Sequence, residues 1–324
     1  MWRFVLNHRT SIILTILLVS VCAKWLVYDK SPAGAPAACS TNYEFISPRL
    51  NCDEYAESSG RLTALQTALS TKVRGYENDG SAKRISIWVR DLTTLQRLGI
   101  RETELYAPAS LFKVPVMVAA FRVAETQHDF LNQVVTFKRG AVADADRIEA
   151  EHQMKDGQEY TVQQLVEQMI RYSDNEALVE LVNQMSPTFM SSVYGDLGIS
   201  ITTTQGMNDN IVTARTYANL FRALYDSTYL TPAYSEKALG ILADTSFDEG
   251  ARAGIPEDIK VAHKYGQRIE HDAFGNVISV KLHDCGIVYG AHPYLFCFLT
   301  EGNSVNALEN IIKTLSSEIY SSLK

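Results

Sequence analysis

Ser110 and Lys113 are the residues of this sequence whose types and spacing suit nucleophilic chemistry. They stand three positions apart, so on a helix they share a face and the hydroxyl can touch the amine. A serine hydroxyl is a weak nucleophile until a neighbouring base accepts its proton. A lysine can be that base when burial or a second cation disfavours its ammonium form. The pair therefore predicts acyl transfer without a histidine, against the simpler interpretations of a solvated helix face or a helix-capping serine.

Two tripeptides further along the chain strengthen this hypothesis. They are Ser173-Asp174-Asn175 and Lys264-Tyr265-Gly266. With Ser110 and Lys113 they follow the order S-x-x-K, S-D-N and K-x-G, which resembles the motif set of class A β-lactamases and penicillin-binding proteins. The segment 157–165, which leads into the second motif, also looks like the family's helix at that point. The resemblance covers roughly residues 60–324.

The resemblance implies a role for each matching residue. Ser110 would attack an amide carbonyl and become acylated, and Lys113 would share in accepting its proton. Ser173 would relay a proton to the leaving nitrogen, and Asn175 would bind the substrate through its amide. Lys264 would line the other wall and help to hold a substrate carboxylate. For Ser173 and Asn175 the alternative is an ordinary loop or helix cap, and for Lys264 it is a solvated strand residue.

The K-x-G strand would supply further contacts to the substrate. The resemblance implies that the backbone N–H groups of Ser110 and Gln267 form an oxyanion hole, in which each donor contributes a few kcal/mol at the transition state. Tyr265 stands where the family usually has threonine or serine, so carboxylate recognition by Tyr265, Gly266 and Gln267 is expected to differ. Asp174 is expected to be structural. Alternation along the strand places His263 on the face opposite Lys264, in a packing role.

The segment 199–213 departs from the class A pattern. It should carry the glutamate that activates water for release of the acyl group, but its only carboxylate is Asp209. Glu176 is expected to point along its own helix. The acylation half of the reaction is therefore expected to be intact and deacylation to be slow.

The order of the predicted elements indicates an α+β fold. Strand patterns lie at both ends of the chain, at 85–89, 261–267, 277–281, 284–289 and 294–300, and helical patterns occupy 61–74, 110–124, 162–170, 176–185, 187–197, 214–225, 235–243 and 303–320. We expect one largely antiparallel sheet completed by the C-terminal segment. The resemblance implies the same architecture: a sheet flanked by helices (about 60–107 and 260–324), an all-α sub-domain (about 108–259) and an active site in the cleft between them.

The N-terminus has the composition of a targeting segment. Residues 1–28 combine early arginines with a stretch of about 18 apolar residues, near the lower limit for spanning a bilayer. They predict a single-pass anchor with the catalytic domain outside the cytoplasm, or a secretory signal cleaved near 33–38. Residues 29–59 read as a linker. The net charge of −7, from 30 basic and 37 acidic residues, includes no long basic run and argues against nucleic acid as a partner.

Five cysteines are present. Cys39 and Cys52 flank a short stretch where a disulfide would be permitted. Cys285 and Cys297 fall on two strands of a predicted hairpin, where they either form a disulfide or remain separate buried thiols. No spacing resembles a zinc site, and neither a metal nor a cofactor is expected.

Together these observations favour a monomeric, membrane-anchored serine hydrolase that acts on a small β-lactam or a related amide. One alternative is a cell-wall D,D-peptidase, or penicillin-binding protein, whose partner is a peptidoglycan stem peptide. Another is a non-catalytic module that binds cell-wall peptides.

Overall fold

The computed structural model describes residues 44–46, 61–139, 151–199 and 211–324. Its helices are α1 (Arg61–Asn78), α2 (Lys113–Ala124), α3 (Val162–Arg171), α4 (Asn175–Asn183), α5 (Pro187–Asp196), α6 (Ala214–Tyr225), α7 (Pro232–Ala243) and α8 (Val305–Leu323). Its strands are β1 (Arg84–Asp91), β2 (Arg97–Ile100), β3 (Val134–Thr136), β4 (Glu159–Thr161), β5 (Val261–His271), β6 (Val277–Val288) and β7 (Tyr294–Gly302). All these residues belong to one unit, Tyr43–Lys324.

The main sheet joins strands from both ends of residues 61–324. Its strand order is β2-β1-β7-β6-β5, and every neighbouring pair is antiparallel. The C-terminal strand β7 lies in the centre, between β1 and β6. The predicted antiparallel sheet, completed by the C-terminal segment, is thus confirmed.

The sheet has a hydrophobic cluster on each face. Helices α1 and α8 contribute Leu69 and Leu315 to one cluster, which contains alternate residues of the strands such as Phe298. The helices from α2 to α7 pack in the other cluster with the opposite strand residues, among them Trp88 and Cys297. Because both faces are covered, the central strands are apolar on both sides. The boundaries expected for the two sub-domains within 60–324 remain a prediction.

Local sequence signals explain several helix starts. Thr161 and Gln164 form a reciprocal capping box at the start of α3, and Ser304 caps α8. Pro187 and Pro232 stand in the first turns of α5 and α7, where a missing N–H group costs nothing. These signals fix where α3, α5, α7 and α8 begin.

Three elements differ from the expectations. The strands predicted at 277–281 and 284–289 form one strand, β6. Sequence analysis divided it because a strand that is buried on both faces lacks the alternation of polar and apolar residues. The helix expected from Ser110 begins as a 3₁₀ turn, Ala109–Phe112, before α2. The short hairpin of β3 and β4 was not predicted, since three-residue strands give little periodic signal.

Cys285 and Cys297 form a disulfide. They are directly opposite each other on β6 and β7 and are fully buried, so of the two alternatives the disulfide is correct.

Several predictions concern residues outside the described ranges: those for Cys39, Cys52, Asp209, most of the predicted linker and the whole of 1–28. Within the described ranges, no helix has both the length and the apolar character needed to cross a bilayer.

Candidate active site

Ser110 and Lys113 are brought together by a tight turn. Ser110 lies within the 3₁₀ turn and Lys113 is the first residue of α2, so the change from 3₁₀ to α geometry falls between them. Lys113 Nζ lies 2.9 Å from Ser110 Oγ. The amine is buried at 1 % exposure, while the serine is half-buried. A hydroxyl that is accessible and in contact with a desolvated amine is the arrangement that proton transfer needs.

Ser173 and Asn175 converge on the same amine. Lys113 Nζ donates to Asn175 Oδ1 at 2.6 Å and lies 3.3 Å from Ser173 Oγ. The first two sequence motifs therefore meet at one nitrogen atom, although about 60 residues separate them along the chain. A proton can pass from Ser110 to Ser173 through this nitrogen without a histidine.

Two residues beside these hydroxyls have an uncommon backbone conformation. Ala109, which precedes Ser110, has φ +48°, and Ser173 has φ +57°. A non-glycine residue in this region costs about 1–3 kcal/mol and persists only where the surroundings enforce it. Among the five described non-glycine residues with positive φ, these two are the ones that adjoin or bear a hydroxyl in contact with Lys113.

Asp174 and Glu176 stand at the start of α4. Asp174 caps α4, its Oδ1 accepting from the N–H groups of Glu176 and Ala177 at 2.7 and 3.2 Å, which confirms its predicted structural role. Glu176 is buried, 3.8 Å from the Arg139 guanidinium. Burial raises the pKa of its carboxyl above the ordinary value, partly offset by Arg139.

Lys264 lies on β5 and is completely buried. Its Nζ has no hydrogen-bond partner among the described residues and lies 4.1 Å from the centre of the Tyr265 ring. Burial first, and then the charge of Lys113, hold the pKa of Lys264 well below its usual range, against the opposing pull of Asp284. Burial and a neighbouring amine thus favour the neutral form of Lys264, which is the form that a general base requires.

The K-x-G strand lies directly against the serine turn. A Cβ on Gly266 would stand 2.9 Å from Pro108 O and 3.0 Å from Leu111 N, so the glycine is needed for close approach. The ring of Tyr265 stacks on Phe247 at 3.9 Å. Gln267 follows on β5 and is half-buried.

Sequence analysis missed two residues that hold the serine turn. His283 Nε2 lies 2.9 Å from Ala107 O, and the Tyr217 hydroxyl donates to Leu111 O at 2.6 Å. Both side chains are buried. A lone histidine in an apolar strand and a tyrosine on an amphipathic helix give no signal that marks them out, because their partners are more than 100 residues away in sequence.

His263 occupies the opposite face of β5, as predicted. It is buried and its Nδ1 lies 2.8 Å from Asp284 Oδ1, while Asp284 Oδ2 accepts from the N–H of Ala251 at 3.0 Å. The pair therefore ties β5 and β6 to the loop at 251. No group of three or more His, Cys, Asp or Glu side chains in the described part of the chain is arranged to hold a metal ion.

Comparisons with known proteins agree with this geometry. The family model described as "Beta-lactamase enzyme family" matches residues 67–323. β-Lactamase Toho-2 of Escherichia coli is 25% identical over 235 residues, which cover 68% of this chain and 79% of that protein.

Solved structures share the fold at lower identity. A class A β-lactamase from Mycobacterium abscessus superposes with a TM-score of 0.67 at 19% identity, over 78% of this chain and 98% of that one. A PBP-A mutant, solved as an acyl-enzyme complex with penicillin-G, gives a TM-score of 0.65 at 20% identity, over 81% and 96% of the two chains. The α+β fold is thus that of the class A β-lactamases. With a family model that spans most of its length and a serine and an amine in contact at its centre, the chain belongs to the β-lactamase enzyme family of serine hydrolases.

Proposed function

We propose that this serine hydrolase forms an acyl-enzyme on Ser110 with β-lactams or related amides that bear a carboxylate. The observation that carries the proposal is the 2.9 Å contact between Ser110 Oγ and Lys113 Nζ. Lys113 takes the hydroxyl proton as Ser110 Oγ bonds to the amide carbonyl carbon. Collapse of the tetrahedral adduct breaks the C–N bond, and Ser173 delivers the proton to the leaving nitrogen.

The side of the site formed by Lys264 and its strand favours an anionic substrate. Lys264 and Lys113 lie within electrostatic reach of each other. With Lys264 neutral, the charge on the Lys113 ammonium that lowers the pKa of Lys264 is the one that attracts a carboxylate before proton transfer begins. Asn175 and the strand from Tyr265 to Gln267 flank the same place. We assign them to substrate binding, with the N–H groups of Ser110 and Gln267 as the oxyanion hole.

Deacylation is proposed to be slow. No glutamate occurs in 199–213, where the class A pattern supplies the residue that activates water, and Asp209 is the only carboxylate there. An acyl-enzyme without a positioned water persists. The same feature supports the second candidate, a cell-wall D,D-peptidase or penicillin-binding protein acting on stem peptides.

The site of action is proposed to be outside the cytoplasm. The basic and then apolar character of residues 1–28 supports a membrane anchor, and secretion after cleavage is the alternative. The disulfide between Cys285 and Cys297 is compatible with either, since both compartments are oxidising.

Intact-protein mass spectrometry after mixing with benzylpenicillin tests the function. The expected result is a covalent adduct of one penicillin mass that forms on the parent and on Ser317→Ala, an exposed serine on α8, but not on Ser110→Ala. Labelling of Ser110→Ala would refute the role of Ser110, and no labelling of the parent would favour a binding module. Rapid loss of the adduct that survives Asp209→Ala would show that another group activates the water.

A further inference from the structure

Arginines are concentrated at the β2 end of the sheet, away from Lys264. Arg90 on β1 stands directly opposite Arg97 on β2, and α6 contributes Arg222 to the same group. Like charges that face each other across two strands destabilise a sheet. Such an arrangement persists in a folded protein when something else compensates the charge.

Opposing charge in this group is limited. Among the described residues, the groups that act electrostatically on Arg90 are two cations, Arg222 and Arg97, and one anion, Asp226. Burial is the main cause that lowers the pKa of Arg90, the two cations add to it, and Asp226 only partly opposes them. Three guanidinium groups and one carboxylate leave a net charge of about +2.

Two N–H donors in the group are buried without an acceptor. The Nε atoms of Arg90 and Arg222 have no hydrogen-bond partner among the described residues. Buried donors are nearly always satisfied in proteins, and an exception calls for a water or an ion. Arg97 is exposed, so the group can be reached from solvent.

Trp88 lies close to both this group and a nearby ion pair. The Arg97 guanidinium lies 5.9 Å from the centre of the Trp88 ring. Arg215 lies 5.1 Å from the same ring and is already paired with Glu102. We therefore take Arg90, Arg97 and Arg222 as the cations of this site, with the Nε–H groups of Arg90 and Arg222 as donors that lack a partner among the described residues.

We propose that Arg90, Arg97 and Arg222 bind a doubly charged tetrahedral oxyanion of the phosphate class. A dianion matches the net charge of the group, and its oxygens can accept from the guanidinium N–H groups. Trp88 and Lys264 belong to one row of paired residues through Cys297 and Cys285. They are three strand spacings apart, about 14 Å, so the site is separate from the catalytic one and independent of the function proposed above.

Thermal unfolding of the full chain with inorganic phosphate tests the site. At mildly alkaline pH, phosphate that exceeds its Kd several-fold is expected to raise the Tm by about 2–4 °C, and sodium chloride at matched ionic strength is not. Arg97→Gln and Arg222→Gln should each lose the rise, whereas Arg74→Gln, an exposed arginine on α1, should keep it. In phosphate-free buffer Arg97→Gln should unfold at the same temperature as the parent or higher, because one of the repelling charges is gone.

Three results would overturn the proposal. One is an equal rise with chloride, and another is a rise of unchanged size in both variants. The third is a Tm of Arg97→Gln below the parent's in phosphate-free buffer, which would mark Arg97 as an ordinary structural residue. Vesicles of phosphatidylglycerol distinguish the source of the phosphate: binding to vesicles that depends on Arg97, without any response to inorganic phosphate, would replace the free dianion by a lipid phosphodiester and overturn the proposal as stated.

Discussion

His283 donates a hydrogen bond from Nε2 to the carbonyl oxygen of Ala107, 2.9 Å away and three residues before the nucleophile. The tautomer follows from its other nitrogen, since Nδ1 accepts from the backbone N–H of Thr300 at 3.2 Å. The ring is completely buried and meets Tyr106 edge to face. A neutral imidazole thus fixes the extended segment that leads into the serine turn.

The neutral state of His283 gives the protein a pH-dependent stability. Burial is the main reason that its pKa falls from 6.5 to about 4. Because the folded pKa lies below the unfolded one, the unfolded chain binds more protons between these values. The contribution is therefore complete above pH 6.5 and is lost as the pH falls towards 4, by about 3 kcal/mol in total.

Urea unfolding at a series of pH values measures this effect. The His283→Gln variant, which keeps a side-chain donor, should lose less stability between pH 6.5 and 4 than the parent. His128→Gln, at an exposed histidine, should follow the parent curve. Parallel curves for the parent and His283→Gln would show that His283 does not titrate in this range.

Lys113→Met is expected to slow acylation by about 10²–10⁴-fold, the range for loss of a general base. Methionine fills a similar buried volume, so the fold should persist. Stopped-flow measurement of adduct formation with a chromogenic β-lactam gives the rate, and Lys313→Met on the exposed face of α8 is the control. If Lys113→Met reacts as fast as the parent and Lys264→Met does not, the base is Lys264.

Gly266→Ala is expected to destabilise the protein by about 1–3 kcal/mol and to slow acylation. The added methyl would stand 2.9 Å from Pro108 O and would push the serine turn away from β5. Gly75→Ala is the matched control, because a Cβ at that exposed position of α1 meets nothing within 4 Å. It should stabilise the helix by up to about 1 kcal/mol. An unchanged acylation rate in Gly266→Ala would mean that the turn tolerates displacement.

Removal of the disulfide with the double variant Cys285→Ala, Cys297→Ala should destabilise the chain by about 2–4 kcal/mol. The bridged residues are 12 positions apart and buried. Reductant should lower the Tm of the parent and leave that of the double variant unchanged. Thiol labelling of the denatured, unreduced protein checks the pairing independently, since a modified Cys285 peptide would contradict it.

The sequence predicted those parts of the site whose chemistry is local. Ser110 and Lys113 are three residues apart, so any helical turn brings them together. Asp174 precedes a helix, where a carboxylate caps the free N–H groups. The three motifs could be joined only through the resemblance, because nothing in their spacing says that Lys113 contacts Asn175.

The remainder depends on contacts between distant segments. The bond from His283 to Ala107 spans 176 positions, and nothing about an apolar strand with one histidine indicates it. Lys264 Nζ is buried without a hydrogen-bond partner among the described residues, and this depends on how several distant segments pack around it. In β6, burial of both faces removed the alternation on which strand prediction relies.

The close approach of β5 to the serine turn at Gly266 has a consequence for how the enzyme could evolve. With only a hydrogen atom on the Cα between β5 and the serine turn, a larger residue at this position would displace one of the two. Mutational routes to new substrates should therefore avoid Gly266 and accumulate at positions whose side chains contact neither this strand nor Lys113.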